Sequence, residues 1–120
     1  MSKLYGFKFI QRRAYGQIEQ YIILSDVGEK QYLERYIRGN THRVYISELI
    51  DDFCSELNKV DIHSWNFCEF KNFTDWFVNG YYWSLDLSTD EVSVSCKGEN
   101  IYPPNWQDFA EAVRKLHIKI

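Results

Sequence analysis

The sequence predicts an α+β domain: an antiparallel β-sheet of about five strands with two α-helices packed on one of its faces. Three observations predict it. Apolar residues alternate over residues 3–25 and again over 81–96, the two-residue period of strands with one buried face. Residues 46–60 and 106–116 instead carry apolar side chains at helical spacing. Clusters of glycine, asparagine and aspartate separate these stretches, where turns belong.

Residues 3–13 read as a first strand, with Tyr5, Phe7 and Phe9 on one side and Lys8 on the other. Ala14-Tyr15-Gly16 turns the chain into a second strand over 17–25, which sets Ile18, Ile22 and Leu24 against Tyr21 and Ile23. Asp26-Val27-Gly28-Glu29 is a further turn. Residues 30–38 fit both periods. Tyr32, Leu33, Tyr36 and Ile37 suit a helix, whereas Leu33, Arg35 and Ile37 alternate with Tyr32, Glu34 and Tyr36. The short turn before them favours a third strand in a meander, ended by Gly39-Asn40-Thr41.

Residues 47–58 form the clearest helix. Ile46, Leu49, Ile50, Phe53, Cys54, Leu57 and Val60 make one stripe, and Ser47 is placed to cap it. The opposite face, with Glu48, Asp51, Asp52, Glu56 and Lys59, is solvated and acidic. Glu48 and Asp51 lie in the first turn, where the helix dipole favours carboxylates.

Nine of the nineteen residues from Trp65 to Trp83 are aromatic, in a segment that reads as a linker or a strand. Asn79-Gly80 then turns the chain, and Tyr81, Trp83, Leu85 and Leu87 line one face of a strand. Ser88-Thr89-Asp90-Glu91 reverses it, Val92, Val94 and Cys96 line the returning strand, and Gly98-Glu99-Asn100 ends the sheet. Pro103-Pro104-Asn105 launches the last helix, with Asn105 as N-cap and Asp108 three residues on. Trp106, Phe109, Ala110, Val113 and Leu116 face the core.

At 120 residues the chain suits one domain spanning 1–120, large enough to bury roughly two-thirds of its unfolded surface. No repeat or low-complexity tract divides it. Charge is lopsided. Residues 1–43 hold eight basic and four acidic side chains, and residues 44–120 hold six and thirteen. Cys54, Cys68 and Cys96 are odd in number and widely spaced, with no Cys-x-x-Cys pair. Cys54 and Cys96 fall on apolar stripes, so a reducing, cytoplasmic setting is expected. Met1-Ser2-Lys3-Leu4 opens no apolar run of signal-peptide length, and no stretch reaches the ~18 apolar residues of a membrane span.

The sequence holds no nucleophile elbow, P-loop, dinucleotide fingerprint or His-Glu-x-x-His, so neither an enzyme nor a cofactor is expected. His63 with Cys68 is a conceivable thiol–imidazole pair without an orienting third group. His42, His63, Cys68 and Cys96 as zinc ligands would lack local pairing. These residues read better as surface histidines and inert thiols, with His117 at the frayed end of the last helix. Asp51 and Asp52 are neighbours that point apart on a helix, and Asp86 faces solvent on its strand.

The expected function is binding another protein, one with a basic surface. Exposed Trp and Tyr are what interfaces concentrate, so Trp76 and Tyr82 are the expected anchors, and Asp51, Asp52 and Glu56 the acidic face that meets the partner. The tryptophan-rich patch would equally serve a homodimer, and no membrane partner is expected. The alternative is a single-stranded nucleic-acid or nucleotide binder. It would use Arg12, Arg13, Arg35, Arg38 and Arg43 among Tyr5, Tyr15, Tyr32 and Tyr36. A pI of 5.6 opposes it.

Ser64-Trp65, the run from Asn79 to Leu85 and the run from Gly98 to Trp106 together resemble an arrangement in small proteins of low-GC bacteria and their phages. The resemblance spans about residues 62–116 and implies a fold marker with no assigned activity. In size and character the chain is also like stoichiometric inhibitors, such as anti-CRISPR and immunity proteins, which is an analogy only.

Overall fold

A computed structural model of the chain describes residues 2–13, 16–71 and 80–120. The chain is α+β, but its sheet has seven strands and is mixed rather than five-stranded and antiparallel. The strands are β1 (Leu4–Arg13), β2 (Ile18–Val27), β3 (Lys30–Ile37), β4 (Asn40–Tyr45), β5 (Glu69–Lys71), β6 (Tyr81–Thr89) and β7 (Ser93–Glu99). Their order is β4-β3-β2-β1-β6-β7-β5. Helix α1 (Ile50–Leu57) follows β4, and α2 (Trp106–Val113) follows β7.

Lys30–Ile37 do form the third strand of a meander, and Arg38 belongs to the turn that follows. The fourth strand was hidden because Gly39-Asn40-Thr41 reads as a terminator. Arg38 and Gly39 instead both take positive φ, 52° and 81°, which makes a two-residue hairpin turn, and pairing resumes at Asn40. The short β5 lies inside the aromatic segment and pairs parallel to β7, so it closes the far edge.

Two bulges correct the expected alternation. One, between Leu4 and Gly6, puts Leu4 in the core and throws Tyr5 out to 61% exposure, while Phe7 and Phe9 stay buried as expected. The other, between Gln11 and Arg12, pairs Arg12 with Ile18 and takes Ile18 off the face that Ile22 and Leu24 share.

The helices start later than their cap residues suggest. Ser47 lies in the turn before α1 and caps nothing; its Oγ accepts a hydrogen bond from the Gln31 backbone N–H, at 2.8 Å. Asn105 precedes α2 but its side chain is spent elsewhere. Its Oδ1 accepts from the Trp65 indole N–H, and its Nδ2 donates to the Asp61 carbonyl. A buried indole N–H needs a partner more than a half-exposed helix end does.

Both helices lay their stripes on one face of the sheet. Phe53, Cys54 and Leu57 from α1, and Phe109, Ala112 and Val113 from α2, pack with Phe7, Phe9, Ile22, Leu33, Leu85 and Val94. Aromatic rings knit that layer together. Trp106 stacks on Tyr102 at 4.4 Å and on Trp65 at 5.9 Å. Trp83 lies in the core and donates its indole N–H to the Ile101 carbonyl. Gly98 is part of β7 rather than the end of the sheet, and a Cβ there would overlap the Trp83 ring.

His117 does not sit at a frayed end. It takes φ +61° after a 3-10 turn over Arg114–Leu116, and this left-handed cap bends the chain so that Ile118 is only 3% exposed. No helix among the described residues is long and apolar enough to cross a membrane.

Candidate functional site

Among the described residues the two-layer build leaves one face of the sheet without helices. Strand alternation decides what that face carries. Where Leu33, Ile22, Phe9, Leu85 and Cys96 point into the core, their neighbours point away: Tyr32 and Glu34, Tyr21 and Ile23, Lys8 and Ile10, Ser84 and Asp86, Ser95 and Lys97. The open face is thus lined by tyrosines. Tyr21 pairs with Tyr36 across β2 and β3, and their rings stack at 5.3 Å and 12°. Tyr32 pairs with Tyr45 across β3 and β4, with ring centroids 5.5 Å apart. Arg43 lies over the Tyr32 ring at 5.2 Å and reaches Ser25 Oγ. Tyr82, on β6, is 42% exposed, as is Tyr45.

Charges on this face alternate in sign. Lys8 is directly opposite Asp86, and Glu34 directly opposite Arg43. Tyr82 is opposite Glu99, and Lys97 is opposite Ser84. The Tyr21 hydroxyl donates to Glu34 Oε2 at 2.9 Å, and Ser95 Oγ donates to Asp86 at 2.7 Å. The bond to Glu34 holds the Tyr21 phenol above its ordinary pKa, because the neighbouring carboxylate penalises a second negative charge.

The residues singled out from sequence do not share one surface. Tyr82 points to the open face, as alternation predicts. Asp51 and Asp52 are exposed on α1, on the other side of the sheet, and Glu56 there is paired with Lys59 at 3.1 Å. Asp51 also accepts a hydrogen bond from the Ser2 backbone N–H. Trp76 lies outside the described residues, as do Ala14, Tyr15, Phe73, Phe77 and Asn79. The arginines are divided too. Arg12 and Arg43 belong to the open face, and Arg13 pairs with Glu19. Arg35 and Arg38 line a cavity on the helix-bearing side.

Of the aromatic segment, Trp65 and Trp83 are buried, Phe70 and Tyr81 pack against the core, and Phe67 is 88% exposed. Phe67 also has φ +62°, a conformation that bulky residues rarely take. Sequence reasoning did not single it out. Its signal was only a phenylalanine between Asn66 and Cys68, with no alternation to place it.

The chemistry-bearing side chains are dispersed. Cys68 Sγ is 3.1 Å from the Ser64 carbonyl, and no hydrogen bond joins it to His63 among the described residues. Cys54 and Cys96 are buried, which pushes their thiols up to about 11 and about 12. Among the described residues no three His, Cys, Asp or Glu side chains converge to hold a metal ion. Comparison with protein-family models, curated proteins and solved structures found no match to this chain.

Proposed function

We propose that the chain is a non-catalytic protein-docking domain that meets its partner with the helix-free face of the sheet. The observation that supports this most is the composition of that face. Stacked and half-exposed tyrosines sit among charges of both signs, on a surface that no helix of the described residues covers. Tyrosine supplies large contact area with only two side-chain torsions to freeze, and it is enriched where interfaces carry their energy. Interleaved charges fix register against a protein surface of matching pattern.

The same interleaving disfavours the nucleic-acid alternative. A polyanion is held by a continuous run of Lys and Arg, and here Glu34, Asp86 and Glu99 interrupt it. The five arginines expected to form one groove divide between the two sides of the sheet. An inhibitor that plugs another protein's site is the finer form of the proposal, with the tyrosine face rather than the acidic face of α1 making the contact.

The test is affinity capture from a nuclease-treated bacterial extract with three baits: the native chain, Tyr45→Ala/Tyr82→Ala, and Asp51→Ala/Asp52→Ala/Glu56→Ala. The proposal expects one stoichiometric protein, reduced at least tenfold with the tyrosine variant and retained with the acidic variant. Equal recovery with the tyrosine variant would reject the sheet face as the docking surface.

A further inference from the structure

On the helix-bearing side, residues 117–120 and residues of strands β2, β3 and β4 line a half-open cavity of about 600 Å³. Its apolar lining is aliphatic, from Ile37, Val44, Ile118 and Ile120. Its charged side chains are of one sign only. Arg35, Arg38 and Lys119 contribute, with His42 and His117 beside them, and no Asp or Glu side chain.

Arg35 is the informative residue. It sits between Leu33 and Ile37 on the core side of β3, a position that an aliphatic residue would fill. Its Nη1 is buried with no hydrogen-bond partner among the described residues, and its Nη2 reaches only Gln20 Oε1, at 3.4 Å. Burial alone depresses the guanidinium pKa, with no carboxylate to offset it. The four ion pairs of the described residues all lie elsewhere, so among the described residues Arg35, Arg38 and Lys119 make no ion pair. A half-buried, unpaired guanidinium is a standing cost to folding, and nothing in the packing requires it. A bound anion would complete it.

We propose that this cavity binds a phosphate group carried on a short aliphatic body. The planar guanidinium fork matches two phosphate oxygens, and three permanent cations suit a charge near −2 better than a single carboxylate. The volume falls in the range of small-molecule sites. The aliphatic floor suits an alkyl chain, and the lining holds no Phe, Tyr or Trp ring for a nucleobase. The site faces away from the open tyrosine face, so it stands or falls independently of the docking proposal.

The test titrates the intact chain with hexyl phosphate, inorganic phosphate and hexanoate by calorimetry at fixed ionic strength. Saturable binding of hexyl phosphate at least tenfold tighter than either of the others is expected. Arg35→Met should abolish it while leaving the unliganded Tm equal or higher, because the variant removes an unpaired buried cation. Arg38→Gln with Lys119→Gln, both at the rim, should weaken binding about tenfold without touching the core. The proposal is overturned by absent binding of hexyl phosphate, by equal or tighter hexanoate binding, or by unchanged affinity in Arg35→Met. A fall in the Tm of Arg35→Met would also overturn it, since the guanidinium would then be structural.

Discussion

At the residue scale, one glycine is defined by its neighbour rather than by its own backbone. Gly98 lies opposite Trp83 across β6 and β7, and the indole occupies the space a side chain would need. Gly98→Ala must therefore displace a buried tryptophan that also donates to the Ile101 carbonyl. We expect a loss of about 1–3 kcal/mol in urea unfolding and a change in tryptophan fluorescence. This role was not legible in the sequence, where Gly98-Glu99-Asn100 looks like the end of a sheet. The thiols were legible, since Cys54 and Cys96 fall on apolar stripes and are buried. Native chain should alkylate at Cys68 alone, with Cys54 and Cys96 reacting only after denaturation, as mass spectrometry would show. Their raised pKa values also make stability pH-dependent. Below the unfolded thiol pKa of 9.0 both states keep the proton and stability is complete. Above it the unfolded chain loses protons first, so stability falls as pH rises through about 11 and about 12. The half-buried Tyr102 phenol, also raised by desolvation, acts in the same direction. Thermal unfolding should show Tm declining from pH 9 upward; a Tm that held level would contradict the burial of these groups.

At the element scale, strands were read from alternation, and alternation fails where a bulge or a tight turn intervenes. The β3–β4 hairpin turns on Arg38 and Gly39, so a residue with no turn preference began a turn that only φ reveals. Leu4 replaced Tyr5 in the core because a bulge shifts the register, which periodicity alone cannot report. The β6–β7 turn, by contrast, follows its side-chain chemistry. Thr89 is buried, and its Oγ1 accepts the backbone N–H groups of Glu91 and Val92 at 3.2 and 3.0 Å. Thr89→Val keeps the shape and removes the acceptor, which leaves a buried N–H without a partner. A cost of about 1–3 kcal/mol is expected, with faster amide exchange confined to the turn and the ends of β6 and β7. Thr89→Ser should recover most of that loss.

At the scale of the whole molecule, two layers on a seven-stranded sheet give a slab 46 × 32 × 20 Å. The helices cover one side, and on the other the strands present tyrosines to solvent. The sequence foretold a sheet with helices on one face, and therefore an open face, and it foretold that Tyr82 belongs to it. It could not show that Tyr21, Tyr36, Tyr32 and Tyr45 gather there, because that depends on the register of β2, β3 and β4. Nor could it show that Asp51 and Asp52 lie behind the sheet from Tyr82. Separation of this kind is a property of packing, and one partner contacting both would have to wrap around an edge.

The most direct test of the docking face is site-specific photo-crosslinking in living bacterial cells. A benzophenone side chain would be placed in turn at Tyr82, at Tyr45 and, on α1, at Asp52. The account predicts one crosslinked protein partner from Tyr82 and Tyr45, and none from Asp52. Crosslinks from Asp52 alone, with the sheet positions silent, would contradict it.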